Sequence, residues 1–172
     1  MRLTQFSDYA LRMLMYAAAP PGRLITIEKT AQVFGISRNH LMKVANLLTQ
    51  HGYLQAVRGR NGGLLLAQSP QQIRLGALLR VTEPDFALVE CFGSDATCSI
   101  MPACRLRTRL QQALTAFLAQ MDTGTLQDLL LAPRDFQSPP PATAASPRRR
   151  STAQTPARKS IAVPASRHRR AR

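Results

Sequence analysis

Between Thr26 and Ala67 the chain reads as a short helix, a glycine turn, a second helix and a glycine-rich hairpin, an order that few architectures accept. Thr26 precedes Ile27–Phe34 and suits its N-cap. Gly35-Ile36-Ser37 makes a tight turn, and Ser37 can cap a helix over about 38–51. In that helix Leu41, Val44, Ala45 and Leu48 share the inward face, and Gly52 stops it. Two short apolar runs follow, Tyr53–Val57 and Leu64–Ala67. The Arg58-Gly59-Arg60-Asn61-Gly62-Gly63 segment between them contains an Asn-Gly pair, which predicts a hairpin.

The flanking segments complete the pattern. Residues 4–19 place Phe6, Ala10, Met13, Leu14 and Ala17 on one helical face, and Pro20-Pro21-Gly22 ends the helix. A helix is predicted near 75–81. Residues 83–101 read as irregular. Pro102 fits the first position of a long helix with an apolar stripe of Leu106, Leu110, Ala113, Leu114, Phe117, Leu118 and Met121. Thr125 and Asp128 stand in capping-box positions for a last short helix. The fold class is therefore mainly α: a winged helix-turn-helix with a small β-hairpin wing and a long C-terminal dimerisation helix. The expected divisions are a DNA-binding domain over 1–82, a loop over 83–101, the dimerisation helix and a short helix over 102–132, and a disordered basic tail over 133–172.

Charge supports a polyanionic partner. The 172 residues carry a formal +14. Residues 133–172 hold ten basic residues against Asp135 alone, and residues 1–132 still hold 13 basic against 8 acidic. The folded part is basic without the tail, so nucleic acid is the natural partner. The composition shifts at Pro133, and from Gln137 onward Pro, Ala, Ser, Thr and Arg dominate, too poor in apolar residues to order the segment. Contact of the tail with DNA phosphates is the functional alternative to a solvated linker. No apolar run reaches about 18 residues, which argues against a membrane span. The N-terminus does not read as a signal peptide, so a cytoplasmic protein is expected.

The residues that would read DNA follow from the geometry. Ser37, Arg38, Asn39 and His40 cluster at the N-terminal turn of the second helix, the end that enters a major groove. Arginine pairs bidentately with guanine and asparagine with adenine. Lys43 on the same helix can reach a phosphate. Arg58, Arg60 and Asn61 stand on the wing, where arginines can enter a narrow minor groove. The long amphipathic helix needs a partner for its stripe, and two-fold pairing is the commonest assembly, so a homodimer is expected.

Three cysteines, Cys91, Cys98 and Cys104, fall in one short stretch with spacing C-x6-C-x5-C. An odd number is a poor disulfide framework and suits metal binding or redox sensing. The C-x2-C pairs of zinc fingers are absent, and thiolates suit iron–sulfur clusters as well as zinc. Three thiolates leave such a group one ligand short. Asp8 is a candidate for that place, although from the residues alone an ordinary Asp near a helix N-terminus, paired at i,i+4 with Arg12, is the better explanation.

Several motifs together resemble the NsrR family, the nitric-oxide-sensing iron–sulfur repressors of bacteria, which are winged-helix relatives of the IscR-type regulators. They are Leu3-Thr4-x-Phe6-x-Asp8-Tyr9, Ser37-Arg38-Asn39-His40, Val57-Arg58-Gly59-x-Asn61-Gly62-Gly63 and Pro102-Ala103-Cys104-Arg105-Leu106. The resemblance covers residues 1–131. It implies a homodimer with one cluster per subunit, 4Fe–4S in preference to 2Fe–2S, held by Cys91, Cys98 and Cys104. It implies Asp8 as fourth ligand, donated by the other subunit and supported by Arg12. It further implies that the cluster-loaded dimer represses at a palindromic operator. Nitrosylation of the cluster would release the DNA and derepress nitric-oxide detoxification genes. IscR-type relatives use a histidine three residues after the last cysteine; here that position is Arg107. The basic tail is unusual for the family.

Two other classes fit the same features: an iron–sulfur or redox regulator of another signal (cluster supply, iron or peroxide), and a zinc-stabilised DNA-binding regulator. Catalysis is not expected. The chain has no Walker loop, no H-E-x-x-H and no convincing nucleophile–base set, and Arg58–Gly63 lacks the ending of a phosphate-binding loop.

Overall fold

The structure is a computed structural model that describes residues 2–93 and 96–136. Its helices are α1 (Gln5–Ala18), α2 (Ile27–Phe34), α3 (Arg38–Gln50), α4 (Leu75–Thr82) and α5 (Arg105–Thr123), with strands β1 (Leu54–Val57) and β2 (Gly63–Leu66) between α3 and α4. Short 3-10 turns form at Glu90–Phe92, Met101–Ala103, Leu126–Leu129 and Pro133–Phe136.

Local chemistry sets the helix boundaries. The Thr4 hydroxyl accepts from Ser7 N, Thr26 from Lys29 N and Ser37 from His40 N, capping α1, α2 and α3. Caps of this kind contribute about 1 kcal/mol each. Gly35 ends α2 at φ 64°, a left-handed conformation that glycine adopts without a Cβ penalty. The helix-turn-helix is thus written by Thr26, Gly35 and Ser37.

The wing is an antiparallel pair with Leu54 opposite Leu66 and Val57 opposite Gly63. The Asn-Gly signal finds the hairpin, but the tight turn lies one residue earlier than that pair suggests. Gly62 N donates to the Gly59 carbonyl, so Arg60 and Asn61 are the central residues, and the left-handed position is Gly59 at φ 114°. The wing is also pinned to the helix-turn-helix: Ile25 and Leu64 exchange two backbone hydrogen bonds of 2.8 Å. A Cβ at Gly63 would lie 2.5 Å from the Ile25 carbonyl oxygen, so only glycine permits this approach.

The core gathers Met13 and Leu14 of α1, Leu41 and Leu48 of α3, Leu54 of β1, Leu78 of α4, and Ile73 and Leu126, all buried. Each fully buried Leu or Met contributes about 1.5–3 kcal/mol. Phe6, predicted on the inward face of α1, packs half-buried at the edge of this core.

Two boundaries differ from the sequence reading. Pro102 does not begin the long helix; it lies in the Met101–Ala103 turn, and α5 starts at Arg105 with Cys104 as its N-cap. The sulfur decides this, because Cys104 Sγ accepts from Arg107 N at 3.4 Å. Pro133–Phe136, placed in the tail by composition, forms a 3-10 turn whose Phe136 is buried in the core. Its ring packs edge-on against Tyr16 and Phe34, with centroids 5.3 and 6.2 Å away. The rest of the predicted tail, 137–172, lies outside the described residues.

Helix α5 packs on α4. Arg80 and Asp122 join them through a two-point ion pair with an Nη2–Oδ2 distance of 2.8 Å. Of the predicted stripe, Leu114 is buried, Leu110, Phe117, Leu118 and Met121 are half-buried, and Ala113 and Leu106 are exposed.

Candidate functional site

The N-terminal turn of α3 presents Arg38, Asn39 and His40 to solvent, with the exposed Ser37 as its cap and Lys43 one turn on. Among the described residues, Arg38, Lys43, Arg58 and Arg60 form no ion pair with a carboxylate, so their charge is available to phosphate. Arg58, Arg60 and Asn61 stand exposed at the wing tip. His40 has a second contact: its ring lies against Tyr9 of α1, with centroids 6.2 Å apart. The side chain thereby joins α3 to α1.

One residue on this surface escaped sequence reasoning. Met42 lies on the outer face of α3 at 47 % exposure, beside the exposed Arg38, Asn39, Lys43 and Asn46. Apolar side chains in that setting contact thymine methyl groups. Its helical register, out of phase with Leu41, Val44 and Leu48, was the available signal.

The cysteine segment leaves α4 at a firmly held point. Thr82 shares a buried hydrogen bond with Ser7 of α1, and Glu83 accepts from both the backbone and the hydroxyl of Thr4. The loop that follows carries Cys91 in the Glu90–Phe92 turn. Cys98 sits at the start of consecutive turns that lead into α5: its carbonyl accepts from Met101 N, and Cys104 N donates to the Met101 carbonyl. All three cysteines are free thiols; Cys98 is exposed, and Cys91 and Cys104 are half-buried. At the head of α5, Cys104 receives a backbone N–H and lies at the positive end of the helix dipole.

Arg107 connects two of these cysteines. Its backbone N–H donates to Cys104 Sγ, and its Nε donates to the Cys91 carbonyl at 3.2 Å.

Asp8 lies elsewhere in the chain, on α1. Arg12 Nε donates to Asp8 Oδ1 at 2.9 Å and Arg12 Nη2 lies 2.8 Å from Oδ2, with both side chains about 45 % exposed. An exposed pair of this kind contributes little to stability. The pair lines an open cavity of about 620 Å³ with Arg2, Tyr9, Phe34, Gly35 and Ile36. Within one chain, among the described residues, no three Cys, His, Asp or Glu side chains gather closely enough to hold a metal ion. The donor types nonetheless suit an iron–sulfur site: three free thiols in one segment and an exposed carboxylate on α1.

Residues 3–132 match the Rrf2 family, described as iron-dependent transcriptional regulators. The chain belongs to the Rrf2 family. It is also 45 % identical over 138 residues to the HTH-type transcriptional regulator NsrR of Bacillus subtilis, covering 79 % of this chain and 94 % of the relative. Among solved structures of similar fold, CymR, the global cysteine regulator of B. subtilis, is 25 % identical with a TM-score of 0.58 and covers 75 % of this chain and 95 % of its own. IscR of T. potens is 20 % identical with a TM-score of 0.55, covering 75 % of this chain and 85 % of its own; at that identity the likeness concerns fold alone.

An Rrf2 protein of this kind is a DNA-binding transcriptional regulator and not an enzyme, in keeping with the helix-turn-helix and basic wing. Among the described residues, no helix is long and apolar enough to cross a membrane. The family match ends at residue 132, so the Phe136 contact lies beyond it.

Proposed function

We propose that this Rrf2 protein is a nitric-oxide-sensitive iron–sulfur repressor that binds a palindromic operator as a homodimer in the cytoplasm. The observation that carries the reading is 45 % identity to a relative named NsrR across nearly that relative's whole length, on a chain whose three clustered cysteines are free. The ligands assigned are Cys91, Cys98 and Cys104 of one subunit and Asp8 of the other, with one cluster, 4Fe–4S in preference to 2Fe–2S, per subunit. When bound, the cluster supplies iron that reacts with nitric oxide.

The protein's own residues explain how such a signal reaches DNA. Asp8 is adjacent to Tyr9, and the Tyr9 ring touches His40 in the first turn of α3. Tension or release at the Asp8 carboxylate is therefore two side chains from the recognition helix. The exposed apolar residues of α5, Leu106 above all, supply a surface for a second subunit. Arg38 and Asn39 read bases, Lys43 positions the helix on phosphate, and Arg58, Arg60 and Asn61 hold the flanking minor groove. Repression requires that the two forms of the dimer differ in operator affinity.

The test is the Cys98→Ala variant in operator-binding assays with and without nitric oxide. Weak operator binding that ignores nitric oxide is expected. Tight binding that nitric oxide still releases overturns the proposal.

A further inference from the structure

We infer that Arg107 is the positioning residue that sets Cys91 against Cys104 in the cluster site, an inference that rests on the iron–sulfur reading above. Cys98 and Cys104 are placed relative to each other by consecutive backbone turns. Cys91 has no such local connection; it is 13 residues before Cys104. Among the described residues, the Arg107 Nε–Cys91 carbonyl bond is the one hydrogen bond that crosses from the Cys91 turn to α5. The same residue holds Cys104 through its backbone N–H. One residue thus fixes one cysteine by its side chain and the other by its main chain.

The charge of Arg107 is also out of place for an ordinary helix. Arg105, Arg107 and Arg109 all lie in the first turns of α5, and no acidic residue accompanies them in the first turn. Cations at the positive pole of a helix are unfavourable. Among the described residues no carboxylate lies within ion-pair distance of Arg107. Such a conflict between local rule and sequence is the mark of a functional position. Thiolates bound to iron carry net negative charge, and a permanently protonated guanidinium beside them offsets it. Arg107 therefore orients the Cys91 segment and neutralises the group that the cysteines would hold. A guanidinium has no lone pair to offer iron, so its part is to position and not to ligate.

The experiment compares the parent with Arg107→Ala and Arg107→Lys in two measurements. Arg107 is exposed, so both variants should fold as the parent does. In the metal-free protein carrying Cys98→Ala, a short bis-maleimide should cross-link Cys91 to Cys104 faster in the parent than in either variant. After anaerobic reconstitution, visible absorbance followed during EDTA challenge should show iron loss roughly tenfold faster in Arg107→Ala, the usual scale for removing a ligand-orienting hydrogen bond. Lysine keeps the charge and loses the fork geometry, so Arg107→Lys should lie between the other two. Unchanged cross-linking, or iron loss in Arg107→Ala at the parental rate, overturns the inference alone. A parent that takes up no cluster overturns the iron–sulfur reading and this inference with it.

Discussion

The hydroxyls of Ser7 and Thr82 lie 2.7 Å apart inside the core, and this contact fixes α1 to the end of α4. Thr82 is the last residue before the segment that carries the cysteines, and Ser7 is the residue before Asp8. The bond therefore holds the origin of the cysteine loop against the helix that bears the candidate fourth ligand. Ser7→Ala and Thr82→Val should each cost about 1 kcal/mol, because each leaves the other hydroxyl with a remaining partner: Thr4 for Ser7 and the Leu78 carbonyl for Thr82. Urea denaturation of the metal-free protein checks this, and the double variant should cost less than the sum.

Asp122 gives the protein a small acid-dependent stability. The Arg80 guanidinium hydrogen-bonded to it holds its carboxyl below the ordinary value of 3.8. A depressed folded value means that the stabilisation is present above 3.8 and fades as the pH falls further, through the folded value. Asp122→Asn should lower the urea midpoint slightly at pH 7, and the difference from the parent should close below pH 3.8. A gap that persists into strong acid would mean that packing, not charge, holds α5 to α4.

Met42 should contribute to base reading. Once an operator is selected from random duplexes, replacing its thymines one at a time by deoxyuridine removes single methyl groups. One such replacement should weaken the parent by roughly 1 kcal/mol and leave Met42→Ala unaffected. Lys43→Ala should instead weaken all sequences alike and reduce the salt slope by about 1.

Phe136 separates an anchor from a charge. Phe136→Ala should cost roughly 3 kcal/mol, the scale for removing a buried aromatic ring. A chain ending after Phe136 should keep its stability yet lose the nine basic residues beyond it, so its affinity for nonspecific DNA should fall and its salt slope flatten. An unchanged slope would make the basic extension a passive linker.

What the sequence discloses and what it hides divides along the range of the interactions. The helix-turn-helix was legible because Thr26, Gly35 and Ser37 act on their immediate neighbours. The capping box of Thr125 and Asp128 was legible for the same reason. The hairpin was legible from its Asn-Gly signal, whereas the residue that takes the positive φ, Gly59, was not singled out. Pro102 looked like a helix start, since nothing in local propensity shows that a cysteine sulfur can cap the helix two residues later. Phe136 was hidden because its partners, Tyr16 and Phe34, are more than a hundred residues away. At the candidate site the residue types were visible, whereas the Arg107 link to Cys91 appears only once the loop folds back on α5.

The most direct measurement is an anaerobic titration of the reconstituted protein on its selected operator with nitric oxide, following visible absorbance and DNA binding in the same sample. The expected result is a brown protein whose iron–sulfur absorbance bleaches at a few equivalents of nitric oxide per cluster, with operator release in step. A colourless protein without iron after reconstitution, or bleaching with operator affinity unchanged, would contradict it.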